Sequence, residues 1–209
     1  MKSPFALLLS LLLPLSVCAA EPVAGTDYVE IPGGQPFAPL NGKVEVAEVF
    51  GYTCIHCANF QPLVDAWKKK QPGYVRFTPV PAAFGGPWMP YARAYYAAEQ
   101  LGVLKQTHNA LFKALHEQGS LPLQNASNGE IAAFYARYGA DPKAFAAAMD
   151  SQAVAAKLER SKQFALATGI EGTPTLVVNG KYRVTAHSFD DALRIADQLV
   201  ARERAAAKR

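Results

Sequence analysis

The chain has 209 residues, half of them hydrophobic, and a formal net charge of +4 from 21 Lys and Arg against 17 Asp and Glu. That is enough apolar material to bury one substantial core, with or without a large insertion. The positive charge is spread along the chain. Its dense stretches, Lys68-Lys69-Lys70 and the tail Arg202 to Arg209, read as solvated faces, so no nucleic-acid partner is expected.

The first twenty residues stand apart. Lys2 precedes the apolar run Phe5 to Leu15, and Val17-Cys18-Ala19-Ala20 follows, the layout of a secretory signal peptide cleaved before Glu21. The run is short for a bilayer and is broken by Pro14. Leu15-Ser16-Val17-Cys18 also resembles a lipoprotein box, so an inner-membrane lipoprotein anchored through Cys18 is the alternative to a free periplasmic protein. Either way Cys18 leaves the disulfide count, and the mature chain keeps two cysteines in a compartment where disulfides persist.

After a Pro- and Gly-rich lead-in from Ile31 to Pro39, Val44 to Phe50 reads as a strand bounded by Gly42 and Gly51. Thr53 is placed to cap a helix beginning at Cys54, with Phe60, Leu63, Val64 and Trp67 as its apolar stripe and Pro62 as a kink. Tyr74 to Val80 is a second strand, which makes a parallel βαβ unit. The pattern then turns wholly helical: Trp88, Tyr91, Tyr95 and Ala98; His108, Leu111, Phe112 and Leu115; and a capping box of Ser127 with Glu130. Asp141-Pro142 starts a further helix, and Val154, Leu158 and Ala165 mark a long one ending near Gly169. Strand character returns in Thr175 to Val178 and Lys181 to Val184, joined by the hairpin turn Asn179-Gly180, before a last helix capped by Ser188. The organisation is an α/β unit over 21–84 plus 169–209, interrupted by an all-helical insertion over 85–168.

Cys54-Ile55-His56-Cys57 carries the chemistry. Two cysteines three apart at a helix start project to one side and can reach disulfide distance. Cys54, in the first turn, faces unpaired N–H groups and the positive end of the helix dipole, while His56 offers a positive charge or an N–H donor. A stabilised thiolate favours the reduced pair and makes the oxidised pair a good disulfide donor. A structural disulfide is the bland alternative, but so small a loop restricts the unfolded chain little. Zinc would need further ligands, and His108, His116 and His187 are scattered; His108 and His116 read as satisfied structural residues. Covalent haem would require a histidine where Ala58 stands. No metal or cofactor is expected. Glu48 shares a strand face with Val44, Val46 and Phe50, so a buried carboxyl of raised pKa, able to exchange a proton with Cys57, is expected there; Glu45, on the opposite and weaker face, is its control.

The strand, the Cys-x-His-Cys helix start, Phe50, Pro62, the helical insertion and Gly172-Thr173-Pro174-Thr175-Leu176 together resemble the DsbA family of bacterial periplasmic disulfide oxidases. The resemblance covers essentially the whole mature chain. It implies a thioredoxin-like fold, Cys54 as exposed nucleophile, Cys57 as buried resolving thiol, a buried acid at Glu48, and a cis Pro174 that with Thr173 forms the substrate-binding edge. It implies as partners unfolded exported proteins with free cysteines, and a quinone-coupled membrane oxidase of the DsbB type for reoxidation. Ile55 stands where the family most often has Pro, and Thr173 where Val is common. Thr also precedes the proline in isomerases and reductases of the wider fold, so a reductase or isomerase kept reduced is the alternative enzyme reading. A peptide-binding chaperone is the non-enzymatic one. The lead-in from Glu21 to Gly42 is too short for a dimerisation domain, which favours a monomeric oxidase.

Overall fold

The computed structural model describes residues 21–207, so the expected signal peptide and Cys18 lie outside the described residues. In chain order the elements are β1 (Tyr28–Glu30), β2 (Val44–Phe50), α1 (Ile55–Lys70), β3 (Val75–Pro81), α2 (Trp88–Gln100), α3 (Leu104–His116), α4 (Asn128–Ala136), α5 (Pro142–Met149), α6 (Gln152–Ala167), β4 (Thr175–Val178), β5 (Tyr182–Val184) and α7 (Phe189–Ala206).

Among the described residues the strands form one mixed sheet in the order β1-β5-β4-β2-β3, with β2 and β3 parallel and the other neighbours antiparallel. The sequence reading expected every strand except β1, whose three residues lie in the lead-in and gain their order from pairing with β5. Pro79 and Pro81 are tolerated in β3 because it is an edge strand: Ala82 N–H donates to Phe50 O at 2.7 Å, so the alternate positions held by the prolines turn away from β2. The hairpin turn is as the residues demand, with Asn179 at φ 49° and Gly180 at φ 69°.

All seven residues of β2 are buried, because both of its faces are covered. Val44 and Val46 pack with Phe60, Val64 and Trp67 of α1 and Ile195 and Leu199 of α7. Ala47 and Val49 pack on the other side with Val80, Val177 and Phe164 of α6. Helices α2 to α5 build a second core around Tyr91, Leu111, Ile131, Tyr135 and Phe145, which reaches Phe50, Tyr52 and Cys57 at the end of β2. The Ser127–Glu130 capping box forms as expected, and Asp141, Ser151 and Ser188 each cap the helix that follows.

Candidate active site

Strand β2 delivers the chain to the top of the sheet at Phe50, and a tight turn then starts α1. Gly51 is required here by space: a Cβ on it would fall 1.9 Å from the Trp88 ring. Cys54 N–H donates to Gly51 O at 3.1 Å and Ala58 N–H to Cys54 O at 3.1 Å, so the helix opens immediately after the turn. Its N-cap is Cys54, one residue later than the Thr53 expected from the sequence, with φ −88°, ψ 115° and no side-chain capping bond. A sulfur occupies the place where a capping oxygen normally meets the free N–H groups of the first turn. Helix α1 continues unbroken past Pro62.

The two cysteines have opposite environments. Cys54 is half-buried and Cys57 is 1 % exposed. The Cys54 thiol is lowered to about 5, first by the hydrogen bond from Cys57, then by the Thr173 side chain and the backbone N–H groups of Cys57 and His56, with desolvation opposing. Burial drives Cys57 far the other way, and the bond it gives to Cys54 and the charges of Glu48 and Cys54 add to the rise. Gly51 N–H points at Cys57 Sγ, 3.4 Å away. In its protonated form Cys54 Sγ donates to Thr173 O at 3.4 Å, across the cis Thr173–Pro174 peptide. The structure therefore brings Cys54, Cys57, Thr173 and Pro174 to one point.

Glu48 is 2 % exposed, inside the covered strand β2. Burial pushes it up to about 8, Asp65 and Cys54 add to this, and Lys68 opposes it. It is protonated at neutral pH and lies in the electrostatic field of Cys57. Glu45 does not lie on the weaker face expected of a control. It is fully buried, because β2 is covered on both sides, and it accepts from Phe37 N–H at 2.6 Å, Arg76 at 2.8 Å and Thr78 Oγ1 at 2.9 Å. His56 is exposed, and its link to Cys54 runs through the backbone N–H rather than the ring.

Sequence reasoning gave no part in the site to Gly51, Tyr52 or Gln61. His108 and His116 are satisfied, as expected, but by Tyr52: its hydroxyl lies 2.7 Å from His108 Nδ1, and its carbonyl 2.7 Å from His116 Nε2. The spacing 108, 112, 116 on one helix face was the available signal. Beside the cis proline a groove of about 380 Å³ is lined by Phe60, Pro174, Leu176, Val184, His187 and Phe189. Among the described residues no cluster of three or more His, Cys, Asp or Glu side chains is placed to hold a metal ion.

Residues 38–198 match the family described as Thioredoxin. The thiol:disulfide interchange protein DsbA of Pseudomonas aeruginosa is 38 % identical over 194 residues, which are 91 % of this chain and 90 % of that protein. That of Azotobacter vinelandii is 40 % identical over 194 residues, 91 % and 89 % of the two chains. The crystal structure of the oxidoreductase DsbA from Xylella fastidiosa superimposes with a TM-score of 0.87 at 55 % identity, covering 89 % of this chain and all of that one. The chain belongs to the DsbA family. Its fold is accordingly thioredoxin-like, α/β with inserted helices, and its activity is that of a protein dithiol:disulfide oxidoreductase. The half-exposed sulfur at the N-cap of α1 and the buried one a turn later are two free thiols of unequal environment.

Proposed function

We propose that this oxidoreductase works as a disulfide donor, and the observation that carries the reading is the opposition between a Cys54 held down to about 5 and a Cys57 pushed upward. A substrate thiolate attacks Cys54 Sγ of the oxidised pair. The Cys54–Cys57 bond breaks, and Cys57 leaves as a thiolate and takes up a proton, for which protonated Glu48 is the source. A second substrate thiolate then attacks the substrate sulfur of the mixed disulfide, and Cys54 departs as the stabilised thiolate. Two electrons have passed from the substrate dithiol to the enzyme dithiol. Thr173 and Pro174, next to the groove, hold the extended substrate segment, and His56 supplies a backbone N–H to the leaving Cys54.

The reading extends to setting and partners. The substrates are newly exported proteins with free cysteines, the compartment is the periplasm after loss of residues 1–20, and a DsbB-type membrane oxidase restores the disulfide. The protein acts as a monomer, with 85–168 as a helical unit over the motif and 21–84 plus 169–209 as the thioredoxin-like unit. In support, among the described residues no helix is long and apolar enough to cross a membrane. The mass of the purified mature chain separates cleavage before Glu21 from lipidation at Cys18.

Equilibration with glutathione tests the direction. DsbA at about −120 mV and thioredoxin at about −270 mV, values that belong to those two proteins, bracket the outcomes. A potential in the upper half of that interval is expected, and one close to thioredoxin's would replace the donor with a reductase. Trapping tests the roles: Cys57→Ala is expected to accumulate mixed disulfides through Cys54, and Cys54→Ala to accumulate none. Equal trapping would reverse or erase the assignment.

A further inference from the structure

Helix α3 turns three residues spaced four apart, His108, Phe112 and His116, toward a single residue, Tyr52. The Phe112 and Tyr52 rings lie 4.9 Å apart between centroids, and Tyr52 is 2 % exposed. Tyr52 sits inside the turn on which the redox pair is mounted. On one side of it Gly51 gives its N–H to Cys57 Sγ and receives the N–H of Cys54; on the other begins the motif itself.

The two imidazoles hold opposite ends of this residue. His116 Nε2–H donates to the Tyr52 carbonyl at 2.7 Å. His108 Nδ1 accepts from the Tyr52 hydroxyl at 2.7 Å, and His108 Nε2 lies 3.2 Å from Gln61 Oε1 in the middle of α1. The direction of these bonds follows from the far end. Gln61 Nε2 donates to Asp65 Oδ1, so its oxygen is left as the acceptor, and the proton on His108 is therefore at Nε2. Dense packing lowers His108 to about 4, which keeps the ring neutral and Nδ1 free to accept.

We infer that His108 and His116 are positioning residues for the redox pair, fixing the 51–54 turn through the two ends of Tyr52 and tying it to α1 through Gln61. The inference rests on the reading of Cys54 and Cys57 as that pair. Neither histidine touches a sulfur. What they hold is the peptide that sets the distance between Cys54 and the first-turn N–H groups and between Gly51 N–H and Cys57. Hydrogen bonds to a thiolate weaken steeply once donors swing out of line, so a loosened turn shows itself in the titration of Cys54.

The test uses the full mature chain in its reduced form, with Tyr52→Phe, His116→Leu and His116→Gln compared by thiolate absorbance against pH and by equilibration with glutathione. Tyr52→Phe and His116→Leu are expected to raise the Cys54 midpoint by on the order of one pH unit and to shift the equilibrium toward the disulfide by about tenfold. His116→Gln, whose amide nitrogen reaches as far as Nε2, is expected to keep the parental values. Lower melting temperatures with an unchanged midpoint and equilibrium in Tyr52→Phe and His116→Leu would overturn the inference and leave the histidines as packing residues. Tyr52→Phe removes one oxygen and preserves the ring, so it carries the test alone if His116→Leu does not fold. A parent chain that itself titrates near the ordinary thiol value would instead overturn the site reading, an outcome distinguishable from failure of the clamp.

Discussion

Glu48 and Glu45 differ by three positions and by one strand face, yet they are held in opposite ways. Glu48 keeps its proton: its folded pKa of about 8 lies above the ordinary 4.5, so between those values the folded state binds more protons than the unfolded chain. The associated stability is fully present below about 4.5 and falls as pH rises toward 8. At pH 7 the cost of the carboxyl amounts to up to about 3 kcal/mol. Glu48→Gln is therefore expected to match the parent near pH 4, to exceed it in urea melts at pH 7, and to slow the Cys57-dependent step in stopped-flow measurements. A constant offset across that range would show that the carboxyl is not buried as protonated acid. Cys54, Cys57 and the raised Glu48 were legible in the residues because spacing at a helix start and alternation along a strand are local rules. Tyr52 was not legible as a site residue, since its partners His108 and His116 lie far along the chain and only tertiary packing joins them.

At the scale of elements, β2 explains both a success and an error. Alternation correctly puts Glu48 on a covered face, but it also predicts a weaker face on the other side of the strand. A strand with a parallel neighbour and helices on both sides has no weak face. Glu45 survives there because it is paired: Arg76, Thr78 and two backbone N–H groups of the lead-in satisfy it, and the arrangement pins residues 37–38 against the sheet. Removing Glu45 takes the acceptor from Thr78 and from the Phe37 and Ala38 N–H groups, while the partly exposed Arg76 keeps its bonds to Ala38 O and Pro39 O, so Glu45→Ala is expected to lower unfolding free energy by about 1–3 kcal/mol in urea melts. It should leave the Cys54 titration unmoved, because the cluster belongs to the opposite face of β2. A loss below about 1 kcal/mol would mean that Thr78 and the two N–H groups are re-solvated without penalty. The N-cap at Cys54 rather than Thr53 is the second small error. Thr53 is the conventional cap, but the turn closed by Cys54 N–H on Gly51 O moves the cap forward by one residue.

For the whole molecule, the thiolate at Cys54 links redox state to folding. Its folded pKa of about 5 lies below the ordinary 9.0, so the reduced form gains stability that is fully present above the unfolded value and is lost as pH falls through 5. Cys54 is half-exposed, and after allowance for solvent screening the gain at pH 7 is about 1–2 kcal/mol. Paired urea melts are expected to show the reduced form as the more stable one at pH 7 and above, with the gap closing toward pH 5. The disulfide's effect on the unfolded chain is independent of pH in this range, so a gap that does not change with pH would remove the thiolate as its cause.

The order of strands in the sheet has a consequence in time. Strand β2 meets its parallel neighbour β3 soon after both have left the ribosome or a translocation channel, but its other flank stays bare until β4 arrives: Ala47 waits for Val177, and Tyr28 of β1 waits for Val184. Everything between, α2 to α6, is delivered first. Cys54 and Cys57 thus emerge long before Thr173 and Pro174, the residues that complete their surroundings. The two thiols of a nascent chain of this protein are thus made before the residues that will flank them, and the pair gains its full surroundings only after the C-terminal hairpin has closed the sheet.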